Sequence, residues 1–176
     1  MPADRFVDQL NIQIGHEFSA HQQYVACAVY YDILTMPQMA GFFYAQALEE
    51  RGHAMMMVQY LIDQDAAVKI PGVAAPQTDF ADIVEPVALA LEQEKRVTDQ
   101  INQLTRISRE EYDFASDQFM QWFIKEQVEE VATMSDLLTV VTRAKQDVEA
   151  IEDYVQRETA GEAVDPTAPA IAGGGA

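Results

Sequence analysis

Glu50 and His53 stand three residues apart in the run EERGHAMMM, a spacing that puts both side chains on one face of a helix. They sit on a stripe with Met39, Phe43, Gln46, Met57 and Tyr60. Three other segments each carry one acid on a largely apolar stripe of the same periodicity. Glu17 follows Leu10 and Ile14 and precedes His21, Tyr24, Ala28 and Tyr31; Glu94 lies among Val87, Ala90, Val97, Ile101 and Leu104. Glu130 lies among Phe119, Phe123, Gln127, Met134, Leu137 and Val141. A carboxylate withdrawn from water is costly unless something positive compensates it. With 11 Lys plus Arg against 29 Asp plus Glu, basic partners are scarce. The acids must either bind a cation or hold protons at raised pKa. A set rich in oxygen suits hard cations or ferrous iron, and the imidazole adds a nitrogen ligand suited to iron, zinc or copper. Glu50, flanked by acids on both sides, can bridge two metals, with Glu17 and His53 on one and Glu94 and Glu130 on the other.

The elements that must position these groups follow from the same periodicity. It predicts helices over 4–34, 37–65, 83–111 and 114–143. Pro37 and Pro86 suit first helical turns, and Asp113 suits an N-cap. The stretch 66–82, with Pro71, Gly72 and Pro76, is long for a loop in a compact helical domain. A helix of about 28 residues is roughly 40 Å long, and about 17 extended residues can run its length. The second and third helices can therefore be parallel, which makes the expected fold an all-α four-helix bundle with one long crossover. Glu17 and Glu50 lie at similar distances from the first hairpin turn, and Glu94 and Gln127 from the second, so the four helices bring their polar groups to one level. QDVEAIEDYVQRE reads as a short fifth helix at the C-terminal end. One domain over 1–158 is expected, with 159–176, rich in Ala, Gly and Pro, as a disordered tail.

Composition excludes several classes of partner. A net charge of −18 leaves no basic stripe for nucleic acid and favours cations. The one cysteine, Cys27, rules out a disulfide within the chain and reads as a buried, inert thiol. Asp4, Arg5 and Asp8 interrupt the start where an export signal would be apolar, so a cytoplasmic protein is expected. Asp32, Pro37 and several Gln residues break the apolar stretch between Gln22 and Leu48 before it could span a membrane. Within it, YVACAVYY from Tyr24 to Tyr31 covers its helix on all sides, which points to self-association.

HEFSAHQQY around Glu17, EERGHA around His53, EQEKRVT around Glu94 and QFMQWFIKEQVEE around Glu130 resemble the non-haem bacterial ferritins, over roughly residues 6–158. The resemblance implies a ferritin-like bundle with a ferroxidase centre: Glu17, Glu50 and His53 at one iron, Glu50, Glu94 and Glu130 at the other, Gln127 close by. It implies a third, transit iron site from Glu49, Glu126 and Glu129 with Glu130, and a tyrosine beside the centre, Tyr24. It further implies iron storage and detoxification, with ferrous iron oxidised by dioxygen and ferric mineral kept inside a homo-oligomeric cage of 24 copies. Bacterioferritins and rubrerythrins carry a second Glu-x-x-His on the fourth helix, whereas this chain has Gln127 and Glu130 there and three histidines in all. Arg51 stands where haem-binding bacterioferritins have Met after the bridging acid, so no haem is expected. The alternatives are a non-catalytic or DNA-protecting miniferritin-type shell, and a soluble di-iron oxidase acting on an organic substrate.

Overall fold

The structure is a computed structural model and describes residues 1–159 and 165–173. Five helices follow one another: α1 (Asp4–Ile33), α2 (Pro37–Asp63), α3 (Glu85–Glu110), α4 (Phe114–Arg143) and α5 (Val148–Glu158). Among the described residues there is no strand. None of the helices is long and apolar enough to cross a membrane.

The helix ends fall within a residue or two of the expected ones, yet no glycine marks them. Thr35, Asp65 and Tyr112 take positive φ just after α1, α2 and α3. In each case two backbone bonds close the end, as where Met36 N–H donates to Tyr31 and Thr35 N–H to Asp32. Asp113 caps α4 by accepting from the Ser116 N–H at 3.1 Å, and it also accepts from the Ala3 N–H, tying the start of α1 to the α3–α4 turn. Asp82 accepts from the Val84 and Glu85 N–H groups and so starts α3.

The crossover from Gln64 to Val84 climbs beside α1 and is clasped to it at three levels. Asn11 donates to the Ala67 carbonyl and accepts from the Lys69 N–H at 2.6 Å. Gln23 exchanges two bonds of 2.9 Å with the Gln77 backbone. The Tyr31 hydroxyl donates to the Ile83 carbonyl at 2.6 Å. The order of these clasps makes the crossover parallel to α1, hence α3 antiparallel to α1 and parallel to α2. Pro71 packs so close to Gly15 that a Cβ there would meet its ring at 2.9 Å. Phe80 of the crossover lies 5.0 Å from the Tyr30 ring. The apolar band on α1 is thus partly covered by the chain itself, with Val29 and Ile33 remaining exposed.

α5 returns against α2 and α4. Ile151 and Val155 are buried, and the Glu152 carboxylate accepts from the Gln38 and Met39 N–H groups, where the positive end of the α2 dipole favours an acid. Residues 165–173, within the stretch whose composition argues for disorder, are seated: Ala168, Ile171 and Ala172 pack against the bundle near Met55 and Trp122. Residues 160–164 and 174–176 of the expected tail lie outside the described residues.

The core has two apolar halves. One gathers around Tyr24, Tyr31, Met39, Phe43 and Met134, the other around Leu10, Met57, Leu61, Leu104 and Phe123. Each large side chain buried in them contributes about 1.5–3 kcal/mol, which offsets the cost of the polar layer between them.

Candidate metal centre

The stripes converge as the periodicity requires. Glu17 from α1, Glu50 and His53 from α2, Glu94 from α3, and Gln127 and Glu130 from α4 are all at most 5% exposed. Two groups of ligand atoms form, each with its atoms within 4.8 Å of one another: Glu17, Glu50 and His53; and Glu50, Glu94 and Glu130. Glu50 alone belongs to both.

Their protonation follows from burial. Desolvation raises Glu17 to about 7 even though its carboxylate accepts from Gln13 at 2.8 Å. Burial, reinforced by Glu94, Glu130 and Glu17, holds Glu50 well above the ordinary carboxylate range. Burial likewise raises Glu94 and Glu130. Desolvation also lowers His53 to about 4, so its imidazole is neutral and able to coordinate. Both Glu50 oxygens, one oxygen each of Glu17 and Glu94, and His53 Nε2 are buried without a hydrogen-bond partner. Buried polar atoms are rarely left so, and the donor set of oxygens plus one imidazole fits two cations sharing Glu50.

The remaining acid oxygens are held by neighbours. The Tyr24 hydroxyl donates to Glu94 and the Gln127 amide to Glu130. The Thr98 hydroxyl lies 2.9 Å from both the Gln127 amide oxygen and the Glu94 backbone carbonyl, its one proton shared between them, and so helps orient the amide. Trp122 and Phe123 stand edge-on to the His53 ring, at 5.6 and 5.8 Å between centroids. Sequence reasoning missed Gln13 and Thr98. Gln13 lies four residues before Glu17, the acid it serves, and that offset on one helical face was the available signal; Thr98 serves Gln127 on another helix, and nothing within its own segment pointed there. His21 faces α2, its Nδ1 2.6 Å from the Ala47 carbonyl, and His16 lies 3.2 Å from Gln13; neither joins a ligand group.

A third group lies between α2 and α4. Glu49, His53, Glu126 and Glu130 have ligand atoms within 4.8 Å of one another, at the inner wall of a recess of about 650 Å³. Glu129 lines the recess without joining that group; it is exposed, with the Lys125 ammonium 3.9 Å away. Glu129, which the resemblance implies for the third site, thus stands outside this group, and His53 stands within it. Burial, then the charge of Glu129, raises Glu126.

A bundle with one long crossover, a short fifth helix and a layer of acids through its middle is the architecture of a ferritin. The family description of a ferritin-like domain matches residues 7–144, and the chain belongs to the ferritin family. Among its relatives is ferritin BfrB of Mycolicibacterium smegmatis, 52% identical over 162 residues that cover 92% of this chain and 90% of the relative. Bacterioferritin BfrB of Mycobacterium tuberculosis is 49% identical over 98% of this chain and 96% of its own. A bacterial non-heme ferritin of Staphylococcus aureus is 36% identical over 88% and 93%. The solved open pore ferritin of Archaeoglobus fulgidus superposes with a TM-score of 0.86 at 27% identity, covering 91% of this chain and 99% of that one.

Proposed function

We propose that the chain is an iron-storage ferroxidase, with the two groups joined at Glu50 as its reacting centre. Ferrous iron is the substrate: each ion gives up one electron, and dioxygen takes them. The observation that carries the reading is Glu50 itself, buried at 1% exposure and common to both groups, with no hydrogen-bond partner at either oxygen and His53 Nδ1 3.4 Å from one of them.

Each residue then has a defined task. Glu17 and His53 hold the first ion with Glu50, and Glu94 and Glu130 hold the second. Glu17 gives up its proton as a cation arrives, because desolvation keeps that proton on it near neutral pH. Tyr24 and Gln127 fix one oxygen each of Glu94 and Glu130, leaving those acids oriented without a basic partner. The recess between α2 and α4 offers Glu49, Glu126 and His53 as a transit site for iron on its way to the store, with Glu129 at its rim. We further propose a cytoplasmic homo-oligomeric cage of 24 copies, residues 1–158 as the storage domain, and no resident haem.

Rapid mixing of ferrous iron with the protein in air, followed by absorbance, tests the centre. Fast oxidation that Glu50→Ala abolishes is expected; equal rates in both proteins would sink the assignment. Light scattering of the eluted particle tests the copy number.

A further inference from the structure

The described part of the C-terminal tail straddles the mouth of the α2–α4 recess. At one end Asp165 accepts from the Trp122 indole N–H at 3.2 Å and from the Lys125 ammonium at 3.2 Å. Its other oxygen accepts from the Thr167 N–H and hydroxyl at 2.8 and 2.6 Å. At the far end the Ala172 N–H donates to the Met55 carbonyl of α2 at 3.1 Å. Ile171 lies over Gly52, where a Cβ would meet it at 3.9 Å. Asp165, Ala168 and Ile171 thereby wall the same recess as Glu49 and Glu126.

Lys125 is the one lysine or arginine among the described residues that line the recess. It lies between two acids of opposite purpose: Glu129, one turn along α4, and Asp165 on the tail. An ammonium turned toward Glu126 and Glu129 would occupy the field that a cation needs. Bonded to Asp165 at 3.2 Å, the Lys125 ammonium stands back to 3.9 Å from Glu129, beyond hydrogen-bond distance, and so fills that field less. That the recess is built to take a ligand rests on more than its acids, since His53 lines it at 2% exposure with Nε2 lacking any hydrogen-bond partner.

We propose that Asp165 is a positioning residue for cation passage: by drawing Lys125 toward the tail, it keeps the ammonium off Glu126 and loosens its hold on Glu129, so that a hard cation can move through the recess. The inference rests on the reading of the recess as a metal site. Asp165 acts through Lys125 and need not touch the metal.

Terbium(III), a hard cation that does not change oxidation state under these conditions, tests this on the full-length assembled protein. Trp122, the chain's single tryptophan, sits at the recess and can sensitise terbium emission. The midpoint of the titration is read rather than the intensity, because substitution at Asp165 alters the environment of the indole itself. Glu49→Gln with Glu126→Gln should remove the sensitised phase; if it persists, the metal reading of the recess falls and the role of Asp165 with it. Once that phase is assigned, Asp165→Asn should weaken terbium binding about three- to tenfold, and Lys125→Gln should strengthen it. In the Lys125→Gln background, Asp165→Asn should change the midpoint by less than about twofold. An unchanged midpoint in Asp165→Asn alone, or an equal loss in both backgrounds, would overturn the positioning role while leaving the metal site standing.

Discussion

The centre in the middle of the bundle and the recess beside it share His53 and Glu130, yet they treat acids in opposite ways. In the centre four carboxylates are at most 5% exposed, and among the described residues no lysine or arginine pairs with them. In the recess Glu49 and Glu126 are half-buried, Glu129 is exposed, and Lys125 stands within 3.9 Å of Glu129. Poor solvation makes the inner acids bind protons when no cation is present, so a cation arriving there exchanges with protons. The outer acids keep their water and their counter-charge, which suits loose and rapid binding. One residue type therefore does two jobs, and the local dielectric chooses between them.

Removing the shared acid should break the comparison most completely. Glu50→Leu deletes the ligand common to both inner groups, so fast ferrous oxidation should fall by more than the roughly 100-fold that marks the upper end for losing an outer partner of a ligand. The metal-free variant should meanwhile be more stable, by on the order of 1 kcal/mol or more, because a buried acid without a basic partner has been replaced by an apolar group. Oxidation kinetics together with thermal unfolding of the metal-free form measure both. A variant both inactive and less stable would mean that Glu50 is held by packing rather than kept for metal.

Proton release sharpens the same contrast. Glu17, raised by burial from 4.5 to about 7, is largely protonated near pH 6 and largely ionised near pH 8. Zinc binding should therefore release about one more proton from this group at pH 6 than at pH 8, measurable by calorimetry in buffers of different ionisation enthalpy. The linkage to stability has a defined sign. In the metal-free protein, what Glu17 permits below 4.5 is lost as pH rises through 7, because the folded state holds the proton more tightly than the unfolded chain. His53, lowered from 6.5 to about 4, works the other way: its contribution is present above 6.5 and lost as pH falls toward 4. Zinc should thus raise the unfolding temperature more at pH 8 than at pH 6.

The partners of the inner acids should matter less than the acids themselves. Thr98→Val keeps the shape of the side chain but leaves the Gln127 carbonyl oxygen, in a residue 4% exposed, without its 2.9 Å donor. Ferrous oxidation should slow about tenfold. Stability should drop by about 1 kcal/mol. An unchanged rate would show that Gln127 needs no orientation.

The inner acids were legible in the sequence because a helix that buries one stripe cannot conceal a charge placed on it. Glu17, Glu50, Glu94 and Glu130 interrupt such stripes, and the structure buries every one. Gln13 and Thr98 were missed because a polar uncharged residue beside a stripe reads equally well as solvent-facing. The ends of α1, α2 and α3 were placed closely from where the apolar pattern stops. Their left-handed closing residues, Thr35, Asp65 and Tyr112, gave no warning, since glycine is the usual marker of that conformation. The surplus of apolar residues on α1 argues in the sequence for self-association, but part of the cover is Phe80 of the same chain, distant in sequence and brought near by the crossover clasps. The tail's composition argues for disorder, yet Asp165, Ile171 and the Ala172 N–H seat 165–173 against Trp122, Lys125, Gly52 and Met55.

The smallest expected effect lies at the outer edge of the comparison, with Glu129→Gln. Glu129 is exposed, stands outside the group of Glu49, His53, Glu126 and Glu130, and shares the field of Lys125. An exposed pair of this kind contributes about 0–1 kcal/mol and is screened by salt. The first turnover of ferrous oxidation should therefore change by less than about twofold, since losing this charge leaves the inner ligands in place. Later turnovers, which on the proposed reading draw on passage through the recess, should slow modestly at low ionic strength and match the unsubstituted protein near 0.5 M salt, where charges are screened within roughly 4 Å. Multiple-turnover kinetics across a salt series provide the measurement. A large loss in the first turnover would move Glu129 into the centre and erase the boundary between the two regions, whereas a loss confined to later turnovers and abolished by salt would draw that boundary between Glu126 and Glu129.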